Sequence, residues 1–323
     1  MSSDDHNPFR TIRVAAVQAE SSFINLDESV ATTIRLIEEA AVGGAELIAF
    51  PENFVPCYPN WWESLPEGPL VRSFDAELFK NSVEVPGRHV DAIAEACGRN
   101  GIYAVVGVNE RKPGTTGTTW NTQIHITREG KIAGKHQKYV TTSGERQIQA
   151  PGRTGYYNSF RTDFGTVSGL ICGENSNPLA QYAAAVHYPV IHVAAWPSYF
   201  YDYFPMRHAI HTASAGLAYS LKAFVINSAS RISEEYIKEV GIIPENREFL
   251  IAEREKKHGA LILDPIGRVI ADGTGDDADL LFADLDLSAV LPGKLIHDVA
   301  GHYNRPEIFA PLFEPEFLES HDE

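Results

Sequence analysis

Three residues of the kinds used in covalent catalysis stand at the ends of predicted strands or in the loops beyond them. Glu52 closely follows an apolar run. Lys138 lies in a polar segment after residues 121–127, and Cys172 ends the apolar run 165–172. Alone, each has an ordinary explanation as an exposed glutamate, an exposed lysine or a buried thiol. Enzymes built from alternating strands and helices, however, place their reactive groups at such strand ends. The three residues together therefore suggest one site.

A carboxylate, an ammonium group and a thiol form a reagent set for attack on a carbon–nitrogen multiple bond. The thiol needs a base that takes its proton and a cation that stabilises the thiolate. Attack on a nitrile or amide carbon places charge on nitrogen or oxygen, which a cation or donor stabilises in a dry site. Departure of ammonia and attack of water both require a group that carries protons. Glutamate, lysine and cysteine supply these functions without a histidine or a metal.

Apolar periodicity predicts alternating strands and helices along nearly the whole chain. The predicted strands are residues 11–18, 46–50, 102–108, 121–127, 165–172, 189–196, 223–230, 259–265 and 280–286. The predicted helices are residues 26–42, 89–101, 178–186 and 206–221. Residues 128–135 are expected to form a hairpin-like turn that leads into a long polar segment. This alternation is typical of an α/β fold with helices packed on sheet faces.

Composition argues against several classes of protein. The chain has 27 Lys and Arg against 43 Asp and Glu, and its net charge of −16 would repel nucleic acids and anionic membranes. It has no apolar run long enough to span a membrane and no glycine-rich phosphate-binding motif. Three widely spaced cysteines favour a cytoplasmic protein over a disulfide framework. We expect an N-terminal tail at 1–10, one domain at 11–312 and an acidic C-terminal tail at 313–323.

Three stretches carry a resemblance to a known family. "FPENF", "HQKYVTTSGER" and "LICGENSNPLAQY", which contain Glu52, Lys138 and Cys172, resemble the three signature regions of the nitrilase superfamily. The resemblance extends from about Arg13 to Phe309. Within it, "IHVAAWP" and "DVAGHYNRPEIF" favour the nitrilase branch over the amidase and carbamoylase branches.

The resemblance implies an α/β fold of the nitrilase-type α-β-β-α sandwich, with no metal and no organic cofactor. It implies that Glu52 is the general base, Lys138 stabilises the tetrahedral intermediates and Cys172 is the nucleophile. Glu145 matches a second glutamate that the family places beside this triad. The implied reaction is hydrolysis of a small-molecule nitrile to the carboxylic acid and ammonia, through a thioimidate and a thioester on the cysteine. Members of the family usually form homodimers, and some nitrilases grow into filaments.

Departures from the family pattern concern the substrate pocket more than the reaction. Gly173 stands where tryptophan is frequent; glycine keeps a backbone N–H donor but removes a pocket wall. Gln137 and Thr141 stand where the lysine loop often has arginine and proline. Cys57 stands where relatives often have glycine. These residues leave substrate preference open.

Tryptophans near the strand ends predict an aromatic pocket. Trp61 and Trp62 lie in the loop that begins at Glu52, and Trp196 ends a predicted strand. Together with Gly173, these three tryptophans are the predicted substrate-binding residues. Such a pocket favours a medium-sized aromatic or arylaliphatic nitrile over acetonitrile or cyanide.

Other functions remain open at this point. An amidase or carbamoyl hydrolase would use the same triad, and a cyanide-processing nitrilase would act on a smaller substrate. A papain-like hydrolase would need His125, His136 or His192 beside the thiol, but no family-type cysteine signature accompanies them. A binding or scaffold protein on the same fold is disfavoured, because all three triad residues are present. His208 and His211 share a helix face without a further metal ligand at motif spacing.

Overall fold

The computed structural model describes residues 9–201 and 203–314, which form two six-stranded sheets and the helices around them. The strands are β1 (Thr11–Val17), β2 (Leu47–Ala49), β3 (Tyr103–Arg111), β4 (Thr119–Ile126), β5 (Ile132–Gln137), β6 (Ser159–Thr162), β7 (Gly165–Ile171), β8 (Pro189–Trp196), β9 (Phe224–Ala229), β10 (Leu261–Leu263), β11 (Val269–Asp272) and β12 (Leu280–Asp286). The α-helices are α1 (Leu26–Val42), α2 (Trp61–Ser64), α3 (Pro69–Lys80), α4 (Arg88–Asn100), α5 (Pro178–Ala185), α6 (Met206–Leu221), α7 (Glu234–Val240), α8 (Pro244–Glu255), α9 (Val290–Ile296) and α10 (Pro306–Phe309). Short 3₁₀ helices span Ser143–Gln147, Cys172–Ser176, Leu287–Ala289 and Ala310–Phe313.

The two sheets pack face to face, and helices cover their outer faces. Their strand orders are β12-β1-β2-β3-β4-β5 and β11-β10-β9-β8-β7-β6. Successive strand residues point to opposite faces, so Val14 joins the core between the sheets while Ala15 joins the core under the helices. The outer cores contain residues of α1 and α4 on one side and of α5 and α6 on the other. These four layers confirm the predicted α-β-β-α sandwich.

Parallel strands lie at the centre of each sheet and bring their carboxyl ends to one edge of the sandwich. β1, β2 and β3 run parallel, as do β7, β8 and β9. Both faces of these strands are buried, which explains their continuous apolar runs. At this edge the Glu52 amide donates a hydrogen bond to the Trp196 carbonyl across the two sheets, with an N···O distance of 3.3 Å.

The main correction to the sequence prediction is a strand in the segment expected to be a polar loop. Residues Ile132–Gln137 form β5, which pairs antiparallel with β4. β5 is the end strand of its sheet and its first four residues are partly or fully exposed, so its sequence lacks a buried apolar run. Lys138 therefore follows a strand directly. The sequence patterns also do not predict β6, β11 or the helices α2, α3 and α7–α10.

Two further predictions concern the chain ends and membranes. The predicted tails at 1–10 and 313–323 lie largely outside the described residues. Within residues 9–201 and 203–314, no helix combines the length and the apolar character needed to cross a membrane.

Candidate active site

A buried ion cluster joins Lys138 to two carboxylates at the shared edge of the sheets. Lys138 Nζ lies 2.7 Å from Glu52 Oε1, and 2.7 Å and 2.9 Å from the two carboxylate oxygens of Glu145. All three side chains are buried. The Asn121 amide donates to Glu52 Oε1 at 2.7 Å and to Glu145 Oε1 at 3.2 Å. Glu52 Oε2 is buried and accepts no hydrogen bond from the described residues, so this oxygen remains available for a proton.

Glu145 is held in the cluster by its own 3₁₀ helix. Its carboxylate accepts a hydrogen bond from the Thr142 backbone N–H at 2.7 Å, as the capping glutamate of residues Ser143–Gln147. With two oxygens on one ammonium group, the carboxylate fixes where Lys138 Nζ lies. The sequence-predicted residues Glu52, Lys138 and Glu145 therefore share one cluster.

Cys172 follows β7 directly in a conformation that few residues adopt. Its φ is +51°, in the left-handed region that costs a non-glycine residue roughly 1–3 kcal/mol. The Asn175 side chain donates to the Cys172 carbonyl at 2.9 Å, which helps to hold this turn. The thiol is buried but faces the cavity described below. A thiol on a sharp turn after a strand is the arrangement of a presented nucleophile.

Glu174 is a site residue that the sequence analysis missed. Its carboxylate accepts hydrogen bonds from the Ile171 amide at 2.9 Å and the Tyr139 amide at 2.6 Å, and contacts His136 Nε2 at 2.8 Å. It thereby ties the end of β7 to the chain that follows β5, and so ties the thiol to the lysine. The feature of the sequence that could have identified Glu174 is its position two residues after Cys172.

The combined effect of burial and neighbouring charges raises the pKa values of Glu52, Lys138 and Cys172 above their usual values. Burial raises the pKa of Glu52 to about 8, although the charge of Lys138 opposes this rise. Burial alone would lower the pKa of Lys138. The charges of Glu145 and Glu52 outweigh burial and raise this pKa well above its usual value. Burial and the charge of Glu52 raise the pKa of the Cys172 thiol well above its usual value, with Lys138 opposing. The resting site therefore holds a protonated thiol beside a carboxyl group that titrates near neutral pH.

A cavity of about 440 Å³ opens beside the thiol. Its walls include Gly173 and Trp196, two of the four residues for which the sequence predicts substrate binding, together with Phe200, Phe204 and His208. Apolar side chains therefore make up much of the wall beside the nucleophile.

Trp61 and Trp62 are not among the residues that line this cavity. Trp61 is fully buried, with its ring packed against Phe23 and Phe74. Both indole N–H groups donate to Asp75, at 3.0 Å and 2.9 Å. These two tryptophans therefore anchor α2 on α3, because a loop rich in aromatic residues can pack inward as readily as toward a ligand.

The histidines considered as partners of the thiol have other contacts. His136 is bonded to Glu174, and His192 lies between Ser168 and Asn175 at 2.8 Å and 2.9 Å. His125 stacks on an aromatic ring, and burial lowers its pKa to about 3. None of these contacts reaches Cys172. Nor do the described residues contain a group of three or more His, Cys, Asp or Glu side chains that could hold a metal ion.

Comparisons with known proteins identify the family of the chain. The family model for carbon–nitrogen hydrolases matches residues 13–292. A nitrilase of Bacillus sp. (strain OxB-1) is 34% identical over 312 residues, covering 94% of this chain and 88% of that protein. An aliphatic nitrilase of Rhodococcus rhodochrous is 30% identical, covering 94% of this chain and 82% of the relative. The crystal structure of a Helicobacter pylori carbon–nitrogen hydrolase superposes with a TM-score of 0.73 at 16% identity, covering 95% of this chain and 100% of that chain. The protein belongs to the carbon–nitrogen hydrolase family, the nitrilase superfamily, and is an enzyme that hydrolyses carbon–nitrogen bonds.

Proposed function

We propose that the protein is a nitrilase that converts a nitrile and two waters into a carboxylic acid and ammonia, with Cys172 as nucleophile. The observation that carries this proposal is the buried cluster of Glu52, Lys138 and Glu145 beside a thiol that lines a largely apolar cavity. The nitrilases among its relatives support the same substrate class.

In the first step the thiol adds to the nitrile carbon. Glu52 takes the thiol proton as the carbon–sulfur bond forms, and the proton passes to the nitrile nitrogen to give a thioimidate. The unpartnered Oε2 of Glu52 is the oxygen free to accept that proton. Two hydrogen-bond donors are available to the negative charge that develops on the substrate as the thiol adds. They are the Gly173 backbone amide, which also stabilises the charge on the sulfur, and the Lys138 ammonium.

Two waters complete the reaction. Glu52 takes a proton from the first water, and the oxygen of that water adds to the thioimidate carbon. This gives a tetrahedral intermediate near Lys138. The nitrogen of the intermediate receives that proton and then the hydroxyl proton, and it leaves as ammonia while the hydroxyl oxygen becomes the carbonyl oxygen of a thioester. A second water, activated in the same way, breaks the carbon–sulfur bond to release the acid, and the thiol regains its proton.

An amidase or carbamoyl hydrolase is the alternative, since the same three groups would act on an amide without the first hydration. A panel of nitriles and their matching amides distinguishes the two enzymes by ammonia release. We expect turnover of phenylacetonitrile at a kcat/KM at least about tenfold above that of phenylacetamide, which corresponds to roughly 1.4 kcal/mol of preferential transition-state binding. Faster turnover of the amide would identify an amidase.

The pH dependence of the reaction tests the role of Glu52. Because burial raises its pKa to about 8, the base is increasingly protonated as the pH falls below that value. We expect kcat/KM to rise with pH up to about 8 and then to level. Glu52→Gln is nearly isosteric but takes no proton, so we expect a loss of about 10²-fold or more. A variant rate above about a tenth of the parental rate, far above that expectation, would remove Glu52 from this role.

The cavity predicts the preferred size of the nitrile. Trp196, Phe200 and Phe204 line it, and an aromatic ring gains roughly 0.5–1.5 kcal/mol from each such pair beyond the area it buries. We therefore expect phenylacetonitrile to have a kcat/KM about tenfold or more above that of acetonitrile or cyanide. A preference for cyanide or for a four-carbon aliphatic nitrile would contradict this reading of the cavity and leave the triad intact.

Gly173→Trp provides the matched change in cavity size. A Cβ built on Gly173 has no neighbouring atom within 4 Å, so the backbone there accepts a side chain. The indole would occupy part of the cavity beside the thiol. The variant should lose activity on phenylacetonitrile more than on acetonitrile.

We also propose that the enzyme forms a homodimer. The interface would be the face that carries α5, α6, α9 and residues 297–304. Tyr182 bonds to Asn304 at 2.7 Å and Tyr219 packs on His297, so these parts form one surface. This surface exposes large apolar side chains, among them Leu295, which is 77% exposed. The molecular mass in solution tests the proposal: Leu295→Asp should shift it toward the monomer. A larger assembly, such as a filament, would be consistent with the proposal. A monomeric parent enzyme would contradict it.

A further inference from the structure

Glu63 is a buried carboxylate to which the mechanism above gives no role. It lies in α2, and its Oε1 accepts a hydrogen bond from the Gly144 backbone N–H at 3.0 Å. Its Oε2 is buried and has no hydrogen-bond partner among the described residues. Gly144 directly precedes Glu145, which holds the Lys138 ammonium. One side chain thus connects α2 to the turn that carries the second glutamate of the cluster.

The two connected segments are packed tightly against each other. A Cβ built on Gly144 would lie 2.5 Å from Trp62 Cβ and 2.6 Å from Glu63 Oε1. The α2 side of this contact is itself fixed, since both of its tryptophans bond to Asp75. The turn therefore cannot approach α2 more closely, and the hydrogen bond from Gly144 opposes its movement away.

Glu63 also belongs to the electrostatics of the site. Burial raises its pKa to about 7, and the charge of Glu145 adds to this rise, while the hydrogen bond from the Gly144 backbone opposes it. The other titratable groups that face it are the hydroxyls of Tyr58, Tyr199 and Tyr236. The buried region thus holds two carboxylates that contact Lys138 and a third, Glu63, whose charge acts on Glu145.

We infer that Glu63 is a positioning residue: it holds the turn Ser143–Gln147 in place so that Glu145 keeps Lys138 oriented, and it places a negative charge next to that turn. This inference rests on the proposed function for the roles of Glu145 and Lys138. Glu63 is not among the residues that line the cavity, so its effect belongs to the chemical step and not to substrate binding.

Two substitutions separate position from charge. Glu63→Ala removes the hydrogen-bond acceptor and should lower kcat by roughly 10- to 100-fold, as expected when a reacting group is displaced by about 1 Å, with KM nearly unchanged. Glu63→Gln keeps an acceptor oxygen for Gly144 and should retain most of the parental kcat at pH 8. Glu67→Ala is the control, because Glu67 lies nearby, is exposed and pairs with Arg72. Thermal unfolding of each variant identifies any that fail to fold.

The pH profile gives a readout that a purely structural role would not change. Both Glu63 variants remove a negative charge, so the acid limb of kcat/KM should move to lower pH, by about half a unit for a partly screened unit charge. The rate of Cys172 alkylation by iodoacetamide should shift in the same direction, and it requires no nitrile. A Glu63→Ala variant with parental kcat, or pH midpoints unchanged in both variants, would overturn the inference. A shifted alkylation profile in an enzyme that turns over no nitrile would support the inference and refute the proposed function.

Discussion

Replacing Cys172 by alanine is expected to abolish ammonia release from nitriles and from amides. The proposed mechanism forms two successive covalent intermediates on this sulfur, and no other described cysteine lines the cavity. Loss of the nucleophile from a catalytic triad costs on the order of 10⁵-fold or more in rate. A direct ammonia assay with a detection limit below that level measures the effect. The intact mass of the parent during turnover should also show an adduct that the variant lacks.

The remaining cysteines provide matched controls for Cys172. Cys97 lies on α4 and is buried in the core between this helix and the sheet. Burial raises its pKa to about 12. Cys97→Ala should therefore keep near-parental kcat, at a stability cost of roughly 1 kcal/mol for the lost packing. Iodoacetamide should label Cys172 first, because Cys172 lines the cavity, whereas Cys57 and Cys97 are buried and do not line it. Equal turnover by Cys172→Ala and the parent would contradict the whole mechanism.

Sequence periodicity was sufficient for several elements with long apolar patterns. The bounds of α1 and α6 and of the strands β8 and β12 match the prediction, because long apolar patterns have few alternative packings. The three signature motifs each contain one residue of the predicted triad. Each lies directly after a strand of the sandwich, where the polarity of the chain changes abruptly.

The parts that could not be predicted depend on contacts between distant segments. β5 has an exposed start, and its pairing with β4 decides its structure more than its own sequence does. Trp61 and Trp62 looked like pocket residues from their position after Glu52. They pack against α3 instead, and nothing in the local sequence indicates that Asp75 would bind both indoles. Glu174 similarly acts through partners more than thirty positions away.

Lys138→Met is expected to damage both catalysis and folding. The ammonium group is within 3 Å of Glu52 and Glu145, so its removal leaves two buried carboxylates without their cation. Breaking a buried ion pair in this way costs roughly 3–5 kcal/mol of stability. Losing the charge near the tetrahedral intermediates costs about 3 kcal/mol more in the transition state, or about 10²-fold in kcat. Urea unfolding and steady-state kinetics measure the two losses separately.

The sign of the pH dependence distinguishes this explanation from a simple packing defect. Without Lys138 the two carboxylates hold protons more tightly in the folded state than in the unfolded state, so the stability of the variant falls as the pH rises. We therefore expect the loss relative to the parent to be larger at pH 8 than at pH 6. Lys135→Met is the control, since Lys135 lies on β5, the strand that Lys138 directly follows, and pairs with the buried Glu110, and neither of these two residues lines the cavity. It should lose stability but keep most of its kcat. If Lys138→Met kept more than about a tenth of the parental kcat, well above the 10²-fold loss expected of a missing oxyanion-type donor, the ammonium would have no part in stabilising the intermediates.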